Sequence, residues 1–153
     1  MDYPLDEIKQ FLIDNVDQFT KPNAKYKETT QQIIDAGYPV HPLMGKCFPS
    51  SKFIQTLFGP ENISLHCIPS KLLPFIRIDG EKKFTTHWFT KCKKSGRILD
   101  ATIEQFIYEP FNVEFVQSLY PRAYERDFGN KYENGVALPS KEVMRFIDLW
   151  NKR

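Results

Sequence analysis

Three side chains, far apart in the chain, are of the types that nucleophilic catalysis uses: Cys47 in MGKCFPSSKFIQTLFG, His87 in FTTHWFTKC and Asp100 in GRILDATIEQF. Only the thiolate form of cysteine is a strong nucleophile. A helix N-terminus favours it, through unpaired N–H groups and the positive end of the helix dipole. A nearby imidazolium favours it further, and a carboxylate can hold that imidazole in one tautomer and orientation. Together the three residues are complementary parts of an acyl-transfer site, provided the elements around them bring them to one point.

Those elements can be read from local pattern. Pro49 stands near the start of FPSSKFIQTLFG, where a helix tolerates proline. Phe53, Ile54, Leu57 and Phe58 form an apolar face, and Gly59 is a plausible stop. Cys47 is therefore expected at or just before the first turn of a buried helix. FTTHWFTKC and GRILD read as two strands around a basic turn. With KKSG as the connection, Cys92 pairs with Arg97, Thr90 with Leu99, and Phe89 with Asp100. His87 and Asp100 then share one sheet face as diagonal neighbours, roughly 7–8 Å apart at the backbone, which a hydrogen bond between their side chains can close. A loop of three residues would shift the register by one and separate them, unless a bulge restored it.

The rest of the chain frames this core. PLDEIKQFLIDNVDQF spaces Leu5, Ile8, Phe11, Leu12, Val16 and Phe19 as an amphipathic helix of about four turns. KYKETTQQIIDAG predicts a second helix closed by Gly37, and the two prolines of YPVHPLMGK make that stretch a loop. ISLHCI and FIRID read as strands, DGEKK as a turn, and NVEFVQSLY and SKEVMRFIDLWNK as helices, the last capped by Ser140. PRAYERDFGNKYENG is polar and predicts a surface excursion. Helices, a meandering sheet and then helices indicate an α+β fold. With 153 residues and no repeat, a single domain over 1–153 is expected, with a helical part at 1–37 and a core at 43–147.

Composition narrows the class of function. No apolar run reaches the roughly 20 residues of a membrane helix, and MDYPLDEIKQ lacks the basic-then-apolar layout of a secretory signal. Three cysteines without framework spacing point to reduced thiols. The expected location is the cytoplasm, a host's cytoplasm if the chain is viral. A net charge of +2 is too small to argue for nucleic acid. The basic clusters GEKK and KCKKSGR read as solvated turns. Cys67 and Cys92 read as buried apolar residues, and His66 as structural. Zinc-binding spacings such as C-x-x-C or H-E-x-x-H are absent, as are phosphate loops and dinucleotide fingerprints. No cofactor and no metal are expected, although Cys47, His87 and Asp100 are also types that ligate zinc.

The segment THWFTKCKKSGRILDATIEQF, preceded by a helix-start cysteine, resembles the papain-like cysteine hydrolases in their broad sense. More closely, it is similar to a YunG-like family of small phage and bacterial proteins that carry G-x-C, then T-H-W, then D-x-T-x-E-Q-F. Here those elements are Gly45 and Cys47; Thr86, His87 and Trp88; and Asp100, Thr102, Glu104, Gln105 and Phe106, with Pro139, Ser140 and Lys141 near the C-terminus. The resemblance implies a papain-like fold with Cys47 as nucleophile, His87 as general base and then acid, and Asp100 as orienter. Papain-like enzymes also place a polar donor a few residues before the cysteine to bind the oxyanion, a group worth about 3 kcal/mol. VHPLMGK offers no glutamine there. The candidates for oxyanion donor or site wall are His41, Gln32, Gln105 and Trp88.

Two functions compete. The first is a cysteine-dependent hydrolase or acyl transferase, peptidase- or amidase-like, acting on a protein or a small acyl or amide substrate. The second is a non-catalytic interaction module on the same fold, such as a phage-type inhibitor of a host or defence component. Nucleic-acid binding through Lys93, Lys94 and Arg97 is a weaker third reading.

Overall fold

A computed structural model describes residues 3–21, 24–76, 82–84, 86–108, 111–127, 129, 131–133 and 135–153. The first apolar face forms α1 (Leu5–Asp14), which buries Ile8, Phe11 and Leu12. It is shorter than expected. The Asn15 side chain donates to Phe11 O at 2.8 Å, and the chain tightens into a 3₁₀ turn over Val16–Gln18. α2 (Ala24–Asp35) follows and ends before Gly37. α3 (Cys47–Phe58) begins at the cysteine, and its central residues, Ser50 to Gln55, are all buried.

The strands are β1 (Ile63–Ile68), β2 (Pro74–Ile76), β3 (Lys82–Phe84), β4 (His87–Cys92), β5 (Ile98–Leu99), β6 (Ile107–Tyr108) and β7 (Phe111–Asn112). α4 (Val113–Ser118), β8 (Tyr124–Glu125), β9 (Tyr132–Glu133), β10 (Val136–Ala137) and α5 (Lys141–Asn151) complete the chain. Ser140 caps α5 as expected, its Oγ accepting from Val143 N at 3.2 Å. The main sheet is antiparallel in the order β5-β4-β1-β8, and β2-β3, β6-β7 and β9-β10 form two-stranded ribbons.

The structure revises the strand boundaries expected here. FTTHWFTKC is not one strand: Phe84 pairs with Pro74 in the β2-β3 ribbon, and β4 starts only at His87. The reason lies in its partner. Ile68, opposite His87, is the last residue of β1, and Pro69 behind it has no N–H to extend the ladder. Of the expected FIRID strand and DGEKK turn, residues 77–81 lie outside the described residues, while Lys82 and Lys83 belong to β3. The excursion after Pro121 is exposed as expected but not irregular: Tyr124 and Glu125 pair with Cys67 and His66 as an edge strand. A two-residue polar strand has no hydrophobic signature. What recruits it is the row of unpaired N–H and C=O groups along β1.

Period-two alternation divides the sheet cleanly. Ile63, Cys92 and Leu99 join α1, α3 and α5 in one core with Leu12, Phe53, Ile54 and Phe146, while Leu65, Cys67 and Trp88 pack with Cys47 and Phe48 at the start of α3. Ile68 and Phe89 face the other way, onto Leu73, Ile103, Val116 and Leu119. The sheet is thus covered on both faces. α3 is also tied to the C-terminal excursion by Lys52. Its buried ammonium donates to Gln55 Oε1 at 2.7 Å and pairs with Asp127 at 3.1 Å. The second oxygen of Asp127 accepts from Ala137 N at 2.6 Å. Breaking a fully buried pair costs roughly 3–5 kcal/mol. With the Asp127 side chain 24% exposed, Asp127→Ala is expected to cost about 2 kcal/mol. Urea unfolding checks this; a loss under about 0.5 kcal/mol would show that the clamp contributes nothing.

Candidate active site

The hairpin register decides the site. Thr90 pairs with Leu99 and Lys91 with Ile98, while Cys92 N donates to Arg97 O at 2.8 Å and Gly96 N to Cys92 O at 2.8 Å. This is the pairing expected for a KKSG connection. Gly96 sits at φ +74°, which a side chain would strain. β5 is only two residues long, and the Thr90 hydroxyl reinforces it by donating to Leu99 O at 2.6 Å. His87 and Asp100 accordingly fall on one face. His87 Nε2 donates to Asp100 Oδ2 at 2.6 Å, with the two residues 0% and 4% exposed.

Two further donors hold the carboxylate. The Tyr120 hydroxyl, from a 3₁₀ turn over Tyr120–Arg122, donates to the same Oδ2 at 2.7 Å. Thr102 N donates to Oδ1 at 3.3 Å. Around the ring, Phe106 stands edge-on at 4.8 Å and Phe89 lies near-parallel at 6.3 Å. No local periodicity marks Tyr120, because its partner is twenty residues upstream and on another element.

Cys47 approaches from the end of the strand rather than across a face. Its half-buried thiol lies 4.0 Å from Thr86 O, immediately before His87. The other ring nitrogen, Nδ1, is buried and makes no hydrogen bond among the described residues. The Cys47 thiol stands close enough to favour charge on that ring without a hydrogen bond to Nδ1. Burial opposes charge on the ring. The Asp100 charge and hydrogen bond, helped by Cys47, outweigh it and raise the His87 pKa from 6.5 to about 9. The Cys47 N–H is the first of α3, and no hydrogen bond is made by it among the described residues.

The remaining candidates take different places. Gln105 is buried, and its carbonyl accepts from Gly45 N at 3.1 Å while its amide donates to Thr102 Oγ1 at 3.1 Å. It therefore ties the segment after Asp100 to the loop before Cys47. In that loop Gly45 adopts φ +74°, the left-handed region that glycine enters without strain. Trp88 points to the opposite face from His87, where it meets Phe48 edge-on at 4.9 Å beside Cys47 and forms a wall. His41 uses Nδ1 to accept from Leu43 N at 3.1 Å, inside its own turn. Gln32 lies on α2, and among the described residues its side chain makes no hydrogen bond to the Cys47 loop. His66 hydrogen-bonds with Ser64 Oγ at 2.7 Å and stacks on Phe89.

The other thiols differ. Cys67 is sealed, and burial pushes its pKa up. Hydrogen bonds from Ser95 draw Cys92 down to about 7, but it is only 6% exposed. Among the described residues no group of three or more His, Cys, Asp or Glu is placed to hold a metal ion, and no helix is long and apolar enough to cross a membrane.

A raised His87 pKa is also a statement about stability. The folded state holds the ring proton more tightly than the unfolded chain does. The resulting stabilisation is complete below pH 6.5 and is lost as pH rises through about 9. Asp100→Asn removes the opposing charge and leaves burial dominant, so the variant ring is expected to be neutral at pH 7.5. Ring ¹⁵N shifts read the charge directly; an imidazolium persisting in the variant at that pH would contradict this account.

Compared with protein families, curated proteins and solved structures, the chain matches none.

Proposed function

We propose that the protein is a cysteine-dependent hydrolase or acyl transferase with a papain-like arrangement, acting on an amide or thioester-type bond of a protein or small acyl compound. The observation that carries this reading is the buried His87–Asp100 pair beside a half-exposed thiol at a helix start. Burying two titratable groups is costly, and apolar residues of similar size would fill the same space. A proton-transfer role beside a nucleophile accounts for keeping them there.

In this mechanism the Cys47 thiolate attacks the carbonyl carbon, forming a C–S bond and pushing negative charge onto the oxygen. The Cys47 N–H, which has no hydrogen-bond partner among the described residues, is one donor to that oxyanion. As the tetrahedral species collapses, the bond to the leaving amine or thiol breaks and the leaving group takes the proton of the His87 imidazolium. The neutral ring then accepts a proton from water, or from an acceptor alcohol or amine, that attacks the thioester. The acyl product departs and the thiolate–imidazolium pair is restored. Asp100 holds the Nε2 proton in place throughout, leaving Nδ1 for the reacting proton. Trp88 and Phe48 line the approach to the sulfur.

The test is cysteine-resolved alkylation by iodoacetamide, read by mass spectrometry. At pH 6.5 Cys47 is expected to react at least about tenfold faster in the parent than in His87→Ala. Cys67 and the covered Cys92 serve as internal references. An electrophilic acyl probe should label the parent and not Cys47→Ala. If Cys47 reacts equally in both proteins and acyl labelling ignores it, the hydrolase reading fails and a non-catalytic interaction module on the same fold replaces it.

A further inference from the structure

We infer that Tyr120 is a fourth member of this constellation, a positioning residue whose hydroxyl sets how firmly Asp100 holds the His87 ring and its proton. The physical content rests on geometry alone; the catalytic consequence rests on the hydrolase reading. Tyr120 Oη and His87 Nε2 donate to the same oxygen, Asp100 Oδ2, at 2.7 and 2.6 Å. Among the described residues the other oxygen receives only the longer bond from Thr102 N. Two short donors on one oxygen share its negative charge. A carboxylate that accepts more hydrogen bonds is less basic, so the phenol weakens the pull of Asp100 on the ring proton.

The phenol is built to stay a donor. Burial, the Asp100 charge and the hydrogen bond to Asp100 all hold its pKa above the ordinary tyrosine range. Its ring packs on Phe89 at 4.6 Å, and Phe89 also flanks His87. The titratable groups acting around this pair are few. Cys47 from α3 and Asp100 act on the ring, and Glu104, itself paired with Lys9 of α1, acts on Tyr120. His66 of β1 stacks on Phe89. For the proposed reaction, a ring that releases its proton more easily serves both as acid toward the leaving group and as base toward water. Without the phenol the base limb of the pH profile moves upward.

The experiment is an NMR titration of the His87 ring nitrogens in the full chain. Tyr120→Phe is expected to raise the ring midpoint by roughly half a unit, since the carboxylate loses a donor. Site-specific replacement of Tyr120 by 3-fluorotyrosine, a stronger donor of nearly the same shape, is expected to lower it. The opposite signs are the signature, because a residue that merely filled space would move neither midpoint. Should Tyr120→Phe fail to fold, the fluorinated protein carries the test by itself. Shifts of the same sign, or none, overturn the inference. Cys47 alkylation measured on the same samples separates the two claims: an unreactive Cys47 throughout would sink the hydrolase reading while leaving the titration result intact.

Discussion

A positively charged imidazole with 0% exposure persists only where a carboxylate stands within bonding distance, and the 2.6 Å contact between His87 and Asp100 meets that condition. Much of the surrounding architecture serves to keep it. The KKSG turn sets the register, Gly96 accepts the backbone angle that the turn requires, and the Thr90 hydroxyl fastens a β5 strand too short to hold itself. Tyr120 and Thr102 occupy the carboxylate positions that the histidine leaves. A slip of one residue would send Asp100 to the other face and leave a buried cation without a partner. Such a state is costly enough that register and charge pairing stabilise each other.

The Cys47 thiol is positioned by different means. α3 packs against both the sheet and α5, with Phe53 and Ile54 at 0% exposure between them. A helix held that rigidly fixes the place of its first residue, Cys47. The loop leading into it is held by Gln105, whose carbonyl receives Gly45 N while its amide bonds to Thr102, two residues beyond Asp100. The segment that carries the acid and the segment that carries the thiol are therefore linked by one side chain. Lys52, buried one turn further along α3, extends the same logic to the C-terminal excursion through Asp127. These contacts are polar and at least partly buried, so each restricts geometry more sharply than apolar packing does.

The limits of local reading show at particular residues. The α3 boundaries were legible because a proline-tolerant start, an apolar face and a glycine stop are all encoded within twelve residues. The diagonal relation of His87 and Asp100 followed from loop length and period-two alternation, both local. The break before His87 did not show, because it is caused by Pro69 on the partner strand and not by anything in FTTHWFTKC. β8 was invisible for a similar reason: an edge strand of two polar residues exists because β1 offers it hydrogen bonds. Gln105 stood out as a polar candidate, yet its actual partners, Gly45 and Thr102, depend on how two distant segments pack.

What the sequence determined by itself was the set of local conformations and the faces on which chemistry-bearing side chains would stand. Turn length, side-chain alternation and helix signals act over a few residues, and their energies are settled by neighbours in the chain. Only the tertiary structure decided which groups meet across elements. It put the Cys47 thiol at the end of β4, gave Tyr120 the second position on Asp100 Oδ2, and made burial compete with charge at His87. Those outcomes depend on desolvation and on contacts between residues tens of positions apart, and neither exists until the layers have packed.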